Sequence, residues 1–550
     1  YQLFKQYGDA MLIGDRDNFE SELEQFRGVF GVTGDLPFIS PSWSFDVSGT
    51  YTRSNGTTSS RGLREDRYAL SLGVDPTRDF NGDGVIDFNG DGIADDYDPS
   101  VRFAADPIVQ SVFGYDAPVT PCAGPEELAN PEFAAPGLFD GCVPFNPFRE
   151  DILGVFRATL TPEEEAYLFD NRSFNTIYEQ TVITGIITGD LFELPAGPVG
   201  AAFGFEWRED SIDSNPNFIA ANGLQFNIIS DLGAQGSKWI REAFAEVDLP
   251  LVAGETLVEE LSVNVSGRLT DEEFYGTAGT FSVKGGWRPV SPLLLRFSYG
   301  TSFRAPNLRE NFLRGQTGFL TVVDPCAVPT QAFVNNAFDP ALDNRDPATL
   351  ANCIREGRDP TTVGIDNNAT PPRQFVSNSV EIATSGSLEL DPETSRSITS
   401  GFSFEETIGA FDVALSTTYY DIKVKDSVIR PGLQFAVNDC FTRQDGVRSQ
   451  FCDQLSIDPA PTNFGLISDA ALAFVNLDTD SARGRDFNAR FVRDVTIGGE
   501  VFGLGLDLRV NHLIERSNTF VAESGVETTA DFAGEFFFPS WTGRATFTAE

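Results

Sequence analysis

Apolar and polar residues alternate along much of this 550-residue chain, and the same alternation recurs in many separate segments. In one of them, Trp43, Phe45 and Val47 are separated by Ser44 and Asp46. The pattern returns in segments 199–208, 261–269, 281–288, 293–299, 411–419, 502–510 and 541–549. A period of two is typical of β-strands whose two faces meet different surroundings. The sequence therefore predicts an all-β protein.

Three features favour an antiparallel transmembrane β-barrel over a soluble β-sandwich, whose strands also alternate. Many segments approach the ~10 residues that cross a bilayer at a tilt. Their polar positions carry Arg, Lys, Glu and Asp beside glycine, which suits a water-filled lumen. Aromatic residues lie near the segment ends, as in the girdles at membrane interfaces. These aromatic residues are Trp43, Tyr51, Trp207, Trp287, Tyr299 and Trp541.

The alternation also predicts which side chains face lipid, because a charged side chain is costly on the lipid face. The residues expected to face lipid are Trp43, Phe45, Val47, Phe203, Phe205, Leu261, Val263, Phe281, Val283, Leu504 and Leu506. The residues expected to face the lumen are Asp46, Glu206, Arg208, Arg268, Lys284, Arg296 and Asp507.

The connections between the predicted strands are unequal in length. Three are long and rich in Pro, Asn, Asp and Gly, at about 76–172, 304–393 and 427–470, whereas others are as short as 288–292. Short turns on one side and long extracellular loops on the other are typical of outer-membrane barrels. About 16 strand candidates can be counted in the sequence.

Six cysteines lie within the long connections as three sequence-local pairs. An even number in loops is typical of disulfides formed in an oxidising compartment. Several connectivities are open, and six free thiols are the alternative. The simplest pairing is Cys122–Cys142, Cys326–Cys353 and Cys440–Cys452.

The charge balance excludes one class of partner. With 39 Lys and Arg against 81 Asp and Glu, the net charge is −42. Nucleic-acid binding needs a basic surface, so no general affinity for nucleic acid is expected. The chain contains no apolar run of 18 residues, so no transmembrane helix is expected.

Residues 79–98, in the first long connection, carry the sharpest chemical signal. They form a tandem repeat with an eight-residue period, and the second copy starts at Asp87. That copy has the ligand spacing of an EF-hand-type calcium loop, with a glycine at the sharp turn and a backbone carbonyl at the seventh position. The alternative is an acidic solvated loop, in which the aspartates would repel one another. The predicted Ca²⁺ ligands of the two copies are Asp79, Asn81, Asp83, Asp87, Asn89, Asp91, Ile93, Asp95 and Asp98. The expected role of Ca²⁺ is structural.

No catalytic residues are predicted. His512 is the single histidine, and its place on an alternating strand favours a structural or lumen-facing role over that of a base. The acidic run 163–165 follows Thr161-Pro162, which predicts the capped start of a short helix. Arg304 is expected to form an ion pair on the lumen side.

Four segments resemble the barrel of TonB-dependent receptors, and they occur in that family's order. They are CVPFNPF at 142–148, LPAGPVG followed by GFEWR within 194–208, SYGTSFRAPNLRENF at 298–312 and LELDPETSRSITSG at 388–401. The resemblance covers about residues 20–550. It implies a 22-stranded barrel closed by a plug domain and energised through TonB. We expect the plug and the TonB box to lie outside these 550 residues, which would then be the barrel portion of a longer protein.

The resemblance further implies an outer-membrane receptor, not an enzyme, that takes up a scarce and bulky nutrient. That family carries iron chelates, cobalamin, oligosaccharides and peptides, and the substrate-binding residues are unknown at this point. The expected partners are outer-membrane lipid and lipopolysaccharide, the nutrient, and TonB through the plug. The alternatives are a passive porin-like channel and a surface calcium-binding adhesin or assembly protein.

Overall fold

The computed structural model describes most of the chain. The described residues are 12–13, 16, 18–73, 75–77, 119–131, 134–147, 149, 151–152, 158–226, 230–367, 369–457, 464–521 and 527–550. None of the helices in these residues could span a membrane.

Strands dominate the described residues. In chain order they are β1 (Phe19–Asp35), β2 (Ser44–Leu63), β3 (Phe169–Leu194), β4 (Gly197–Pro216), β5 (Ala234–Glu255), β6 (Val258–Glu272), β7 (Gly276–Val290), β8 (Leu293–Arg304), β9 (Gln316–Val323), β10 (Phe333–Val334), β11 (Ala337–Phe338), β12 (Ile365–Asp366), β13 (Arg373–Gln374), β14 (Ser377–Ser385), β15 (Glu393–Ile408), β16 (Phe411–Ile429), β17 (Leu455–Ile457), β18 (Ile467–Ala473), β19 (Val475–Ile497), β20 (Glu500–Val521), β21 (Glu527–Asp531) and β22 (Trp541–Ala549). The α-helices are short: α1 (Glu65–Ser71), α2 (Pro162–Leu168), α3 (Phe218–Ala221), α4 (Leu308–Phe312), α5 (Pro347–Arg355) and α6 (Leu433–Phe441).

Fourteen strands form one antiparallel sheet. Strands β1 to β8 follow one another, then come β15, β16, β19 and β20, and both β21 and β22 pair with β20. The large sheet of the described residues thus has two strands fewer than the roughly 16 candidates counted in the sequence. Strands β14 and β18 lie in or next to segments assigned from the sequence to long connections, and they belong to a separate four-stranded sheet.

The register places the two predicted sets of side chains on opposite faces of the large sheet. Directly paired residues of an antiparallel ladder share a face. Phe45 pairs with Ile187, and Ile187 pairs with Phe203. Following the pairs through all the intervening strands brings the predicted lipid-facing residues of the strands onto one face and the charged set onto the other. Trp43 precedes β2, is 7% exposed and stacks on Phe203. The apolar face remains exposed, as Val47 and Phe205 show at 47% and 50% exposure.

The connections of the large sheet alternate between its two ends. At one end, β3–β4, β5–β6, β7–β8, β15–β16 and β19–β20 are each joined by two residues, while β1–β2 is joined by residues 36–43. Glycines make the tightest of these turns possible, since Gly498 and Gly499 have positive φ angles of 64° and 95°. At the other end, the three longest connections span residues 64–168, 305–392 and 430–474.

Two long connections fold together into what we call the loop subdomain, residues 305–392 and 430–474. Its four-stranded sheet has the order β17–β18–β14–β9 and takes two strands from each connection. β14 and β18 run parallel, because they come from different connections rather than from one hairpin. The apolar core includes Val322, Val380, Phe441, Phe451 and Ile467, all almost fully buried.

The three neighbour-paired disulfides predicted from the sequence are present. Cys122 pairs with Cys142 in the first long connection. The other two bonds, Cys326–Cys353 and Cys440–Cys452, lie in the core of the loop subdomain. Each bond closes a loop of one connection, so its contribution to stability comes mainly from restricting the unfolded chain.

Candidate functional site

The predicted calcium loop, residues 79–98, lies outside the described residues. No group of three or more His, Cys, Asp and Glu side chains in the described part of the chain is arranged to hold a metal ion.

Arg304 forms the ion pairs expected from the sequence. Its guanidinium donates to both carboxylate oxygens of Glu310, at 2.9 and 3.1 Å, and to both of Glu393, at 2.8 and 2.7 Å. Glu310 also accepts from the backbone N–H of Asn307 and so caps α4. Glu393 accepts from the N–H of Val428 on β16 at 2.9 Å. Arg304 therefore holds the end of β8, the start of β15 and the first turn of the second long connection together.

Two other features predicted from the sequence have structural roles. Thr161 caps α2 and forms a capping box with Glu164, in the place that the acidic run predicts. The His512 ring stacks on Trp541, with ring centroids 3.9 Å apart and planes 7° from parallel. The two residues pair directly across β20 and β22 and therefore share a face. It is the apolar face, because His512 lies an even number of residues from Leu506 on β20. His512 therefore has a structural place on the apolar face. It is not lumen-facing, which was the other role that the sequence allowed.

A basic cluster on the charged face is the strongest candidate for a binding site. Lys284, Arg288 and Arg296 line a concavity of about 430 Å³ that crosses β6, β7, β8, β15 and β16. Arg288 is paired with Glu260 at 3.3 Å, and Arg296 donates to the Thr418 hydroxyl at 3.2 Å. Neither Lys284 nor Arg296 has an ion-pair partner among the described residues, so both cations are available to an anionic group in the lumen.

The backbone creates the space in front of Arg296. The residues paired with it on the two neighbouring strands are Gly286 and Gly401. A Cβ atom on Gly401 would lie 2.1 Å from the carbonyl oxygen of Thr417. Glycine is therefore required there for β15 and β16 to approach each other, and it leaves the guanidinium uncovered.

Elsewhere on the charged face, ion pairs satisfy many of the charges. Arg268 contacts Glu242 at 2.7 Å, and Arg208 contacts Asp210 at 3.0 Å. Thr270 donates to the second oxygen of Glu242 at 2.7 Å. The chain as a whole is strongly acidic, with a net charge of −42, so this cationic concavity differs from the overall charge of the protein.

The loop subdomain is held by buried arginines. Arg358 is 3% exposed and pairs through two nitrogens with Asp324, whose side chain is fully buried. The same guanidinium donates to the carbonyl of Gly465 at 2.6 Å and lies 5.0 Å from the ring centroid of Phe441. Arg358 belongs to one connection and Gly465 to the other, so this residue ties the two together.

Arg345 has a similar role within one connection. It donates to the carbonyls of Cys326 and Pro360 at 2.6 and 2.7 Å, and to both oxygens of Asp343. The hydrogen bond from Arg345 lowers the pKa of the Asp343 carboxyl. The Asp343 contribution to stability is therefore complete above the unfolded pKa and is lost as the pH falls through the lower, folded pKa.

Sequence reasoning missed the loop subdomain, and it placed Lys284 and Arg296 on the lumen face without bringing them into one cluster. The alternation of Val380 with Ile382 and of Ala470 with Leu472 was the available signal for strands within the loops. The cluster had no such signal, because Lys284 and Arg296 are separated by a turn and are brought together by the β7–β8 register.

A comparison with known protein families agrees with this architecture. The family described as "TonB dependent receptor-like, beta-barrel" matches residues 8–548. Among curated proteins, none matches the chain.

Several solved structures are similar at low identity. A RagAB peptide transporter structure is 10% identical, with a TM-score of 0.42, over 97% of this chain and 46% of the other. The siderophore receptor PirA from Pseudomonas aeruginosa is 10% identical, with a TM-score of 0.34, over 96% and 71%. The Serratia marcescens hemophore receptor HasR, in complex with HasA and heme, is 10% identical, with a TM-score of 0.37, over 96% and 61%. The chain thus spans less than half of the RagAB chain that it matches.

The family match covers nearly the whole chain, and the long antiparallel strands with one apolar and one charged face agree with it. The chain therefore belongs to the family of TonB-dependent receptor-like β-barrels, whose members are transporters of the outer membrane and not enzymes.

Proposed function

We propose that this chain is the barrel of an outer-membrane receptor that takes up a scarce and bulky nutrient with energy from TonB. The observation that carries the proposal is the division of the large sheet into two faces. One face is apolar and exposed, and the other is charged and bears the basic cluster. A lipid-facing surface and a polar lumen require this division.

The two ends of the sheet supply the orientation. Short turns face the periplasm and long loops face the exterior in barrels of this type. The loop subdomain then lies outside the cell, where it is placed to capture the nutrient, and its disulfides suit that oxidising environment.

A charged lumen implies a plug, since an open water-filled channel through the barrel would make the outer membrane leaky. In this proposal the plug docks against the charged face and makes polar contacts with Lys284 and Arg296, two cations of the basic cluster that have no ion-pair partner among the described residues. The nutrient belongs to the iron chelates, cobalamins, oligosaccharides or peptides.

Uptake by the intact cell tests the proposal. The gene would be deleted and then restored in full length, and uptake of labelled ferric siderophores, heme, cyanocobalamin, maltodextrins and oligopeptides would be measured. We expect the deletion strain to lose uptake of one class of probe. Its uptake in the restored strain should also stop when a protonophore collapses the proton gradient, because TonB draws its energy from that gradient.

Flux that persists in the presence of the protonophore would contradict the receptor and identify a passive channel. Unchanged uptake of every probe, combined with loss of adhesion or assembly at the surface, would favour the adhesin class. Immunoblotting of the outer-membrane fraction is the control for expression.

We further propose that residues 79–98 bind Ca²⁺, with the copy that starts at Asp87 the tighter site. Ligand spacing supports this, and the expected metal–oxygen distances are about 2.3–2.6 Å. At a tenfold excess of Ca²⁺ over Kd, binding stabilises the folded chain by about 1.4 kcal/mol. We therefore expect Ca²⁺ to raise the melting temperature of the EDTA-treated protein, and Asp87→Asn together with Asp91→Asn to abolish the rise.

The matched control for the calcium experiment replaces Glu126 and Glu127, which are acidic residues of the same connection outside the motif, by glutamine. This control should respond to Ca²⁺ like the unmodified protein. An EDTA-treated protein whose melting temperature does not respond to millimolar Ca²⁺ would show the loop to be merely acidic.

A further inference from the structure

Arg493 is a charged side chain on the apolar face near the end of the short turns, a face that it shares with Glu406, which pairs directly with Val413. Arg493 pairs directly with Leu504 on β20 and shares its face with Phe491 and Val495. Its guanidinium lies 5.1 Å from the ring centroid of Phe411. Among the described residues it has no ion-pair partner, although nearby strands carry many carboxylates.

Arg493 stands at an apolar groove of about 710 Å³. The groove crosses strands β16, β19, β20 and β22, and its walls include Val413, Leu506 and Phe547. Arg493 is the single charged residue in its lining. An apolar channel of this size with one cation at its side matches an amphiphile that has acyl chains and an anionic group.

A second groove on the same face shows that apolar grooves of this sheet do not always have an arginine on the apolar face. That groove, of about 570 Å³, is formed where Ala243, Ala245, Gly267 and Gly279 leave space. Its one charged lining residue, Arg268, points to the opposite face, where it is paired with Glu242. The combination of groove and unpaired cation on the apolar face is found at Arg493.

The depth of Arg493 identifies the membrane leaflet. Its pair with Leu504 lies four rungs from the pair Ile497–Glu500, which closes the two-residue turn. That is roughly 13 Å along the strand from the end of the short turns. The outer-membrane orientation proposed above places this end at the periplasmic boundary, among the aromatic residues Phe411 and Phe502.

We propose that this groove binds a phospholipid of the periplasmic leaflet, with the phosphodiester on Arg493 and an acyl chain along the groove. Guanidinium and phosphate form paired, charge-assisted hydrogen bonds. A simple alternative is an arginine whose charged head extends into interfacial water, which would confer no selectivity for a phosphate. The inference rests on the proposed membrane placement and orientation and not on the transport activity.

Native mass spectrometry of the full-length protein, extracted from outer membranes in mild detergent, tests this. The probe is dimyristoyl phosphatidylglycerol, compared with dimyristoyl glycerol, which has the same chains and no phosphate. We expect one phosphatidylglycerol to be retained, and Arg493→Leu to weaken its binding by about fivefold or more. Arg493→Lys should keep part of the binding, because the charge remains.

Arg485→Leu is the matched control, since Arg485 is an exposed arginine on the same face of β19, eight residues towards the other end. It should bind the probe like the unmodified protein. Equal retention in Arg493→Leu, equal loss in Arg485→Leu, or equal binding of dimyristoyl glycerol would each overturn the proposal. Displacement of the probe by an equimolar amount of lipid A would overturn the assignment to the periplasmic leaflet. Because no uptake is measured, a protein that fails to transport can still retain the lipid.

Discussion

Replacing Arg358 by methionine is expected to open the loop subdomain. The substitution would leave the fully buried carboxylate of Asp324 without its cation and would remove the hydrogen bond to Gly465. Breaking one partner of a buried pair costs about 3–5 kcal/mol. Hydrogen exchange in the full-length protein would measure this as a drop in the local opening free energy of β9 and β18. The corresponding amides should exchange at least about a hundredfold faster.

Two further variants separate a buried charge from a general loss of contact. Arg358→Met combined with Asp324→Leu removes both charges and should recover most of the protection, because no unpaired carboxylate remains. Arg448→Met removes an exposed arginine of the same subdomain, paired with Glu356 at 3.0 Å, and should cost less than about 1 kcal/mol. If the amides of β9 and β18 exchange no faster in Arg358→Met than in Arg448→Met, Arg358 does not hold the two connections together.

Val265→Arg should destabilise the barrel far more than Ser266→Arg, although the two positions are adjacent. Val265 is 40% exposed on the apolar face, between Val247 and Val283 of the neighbouring strands. It lies near the middle of β6, where an arginine facing lipid costs about 2–4 kcal/mol. Ser266 lies on the charged face and pairs with Glu246, which offers a partner to a new arginine.

Urea titration of the full-length protein folded into phospholipid vesicles would measure the difference. The midpoint of Val265→Arg should move well below that of the unmodified protein, whereas that of Ser266→Arg should stay close to it. Equal shifts for the two variants, or a larger shift for Ser266→Arg, would show that the apolar face does not contact lipid.

Much of the architecture is readable in the sequence, because strand alternation is a local property. The faces of Phe203 and Glu206 follow from parity alone, since consecutive side chains of a strand point to opposite sides. The capping box of Thr161 and Glu164 also needs only neighbouring residues. The neighbour pairing of the cysteines belongs to the same class, because each bond closes a short stretch of a single connection.

Other features depend on which strands become neighbours. The concavity at Arg296 exists because the β7–β8 and β8–β15 registers place Gly286 and Gly401 beside it. A shift of one residue in the β8–β15 register would pair Arg296 with Ser400 or Phe402 and so place a side chain there instead. Likewise, the place of Arg493 on the apolar face follows from its pairing with Leu504 and its contact with Phe411. In the sequence it is one charged residue among many.

The fold class, the two faces of the strands, the unequal connections and the family can all be read from the sequence. These features are encoded in local periodicity and in contiguous motifs such as the segment around Arg304. Only the folded structure shows that two long connections share one core and that Arg358 links one of them to the other through Gly465. It also shows that Lys284 and Arg296 lie in one concavity without an ion-pair partner among the described residues. The physical reason is that these contacts join residues far apart in the chain, and their formation depends on strand pairing and register, which no local pattern specifies.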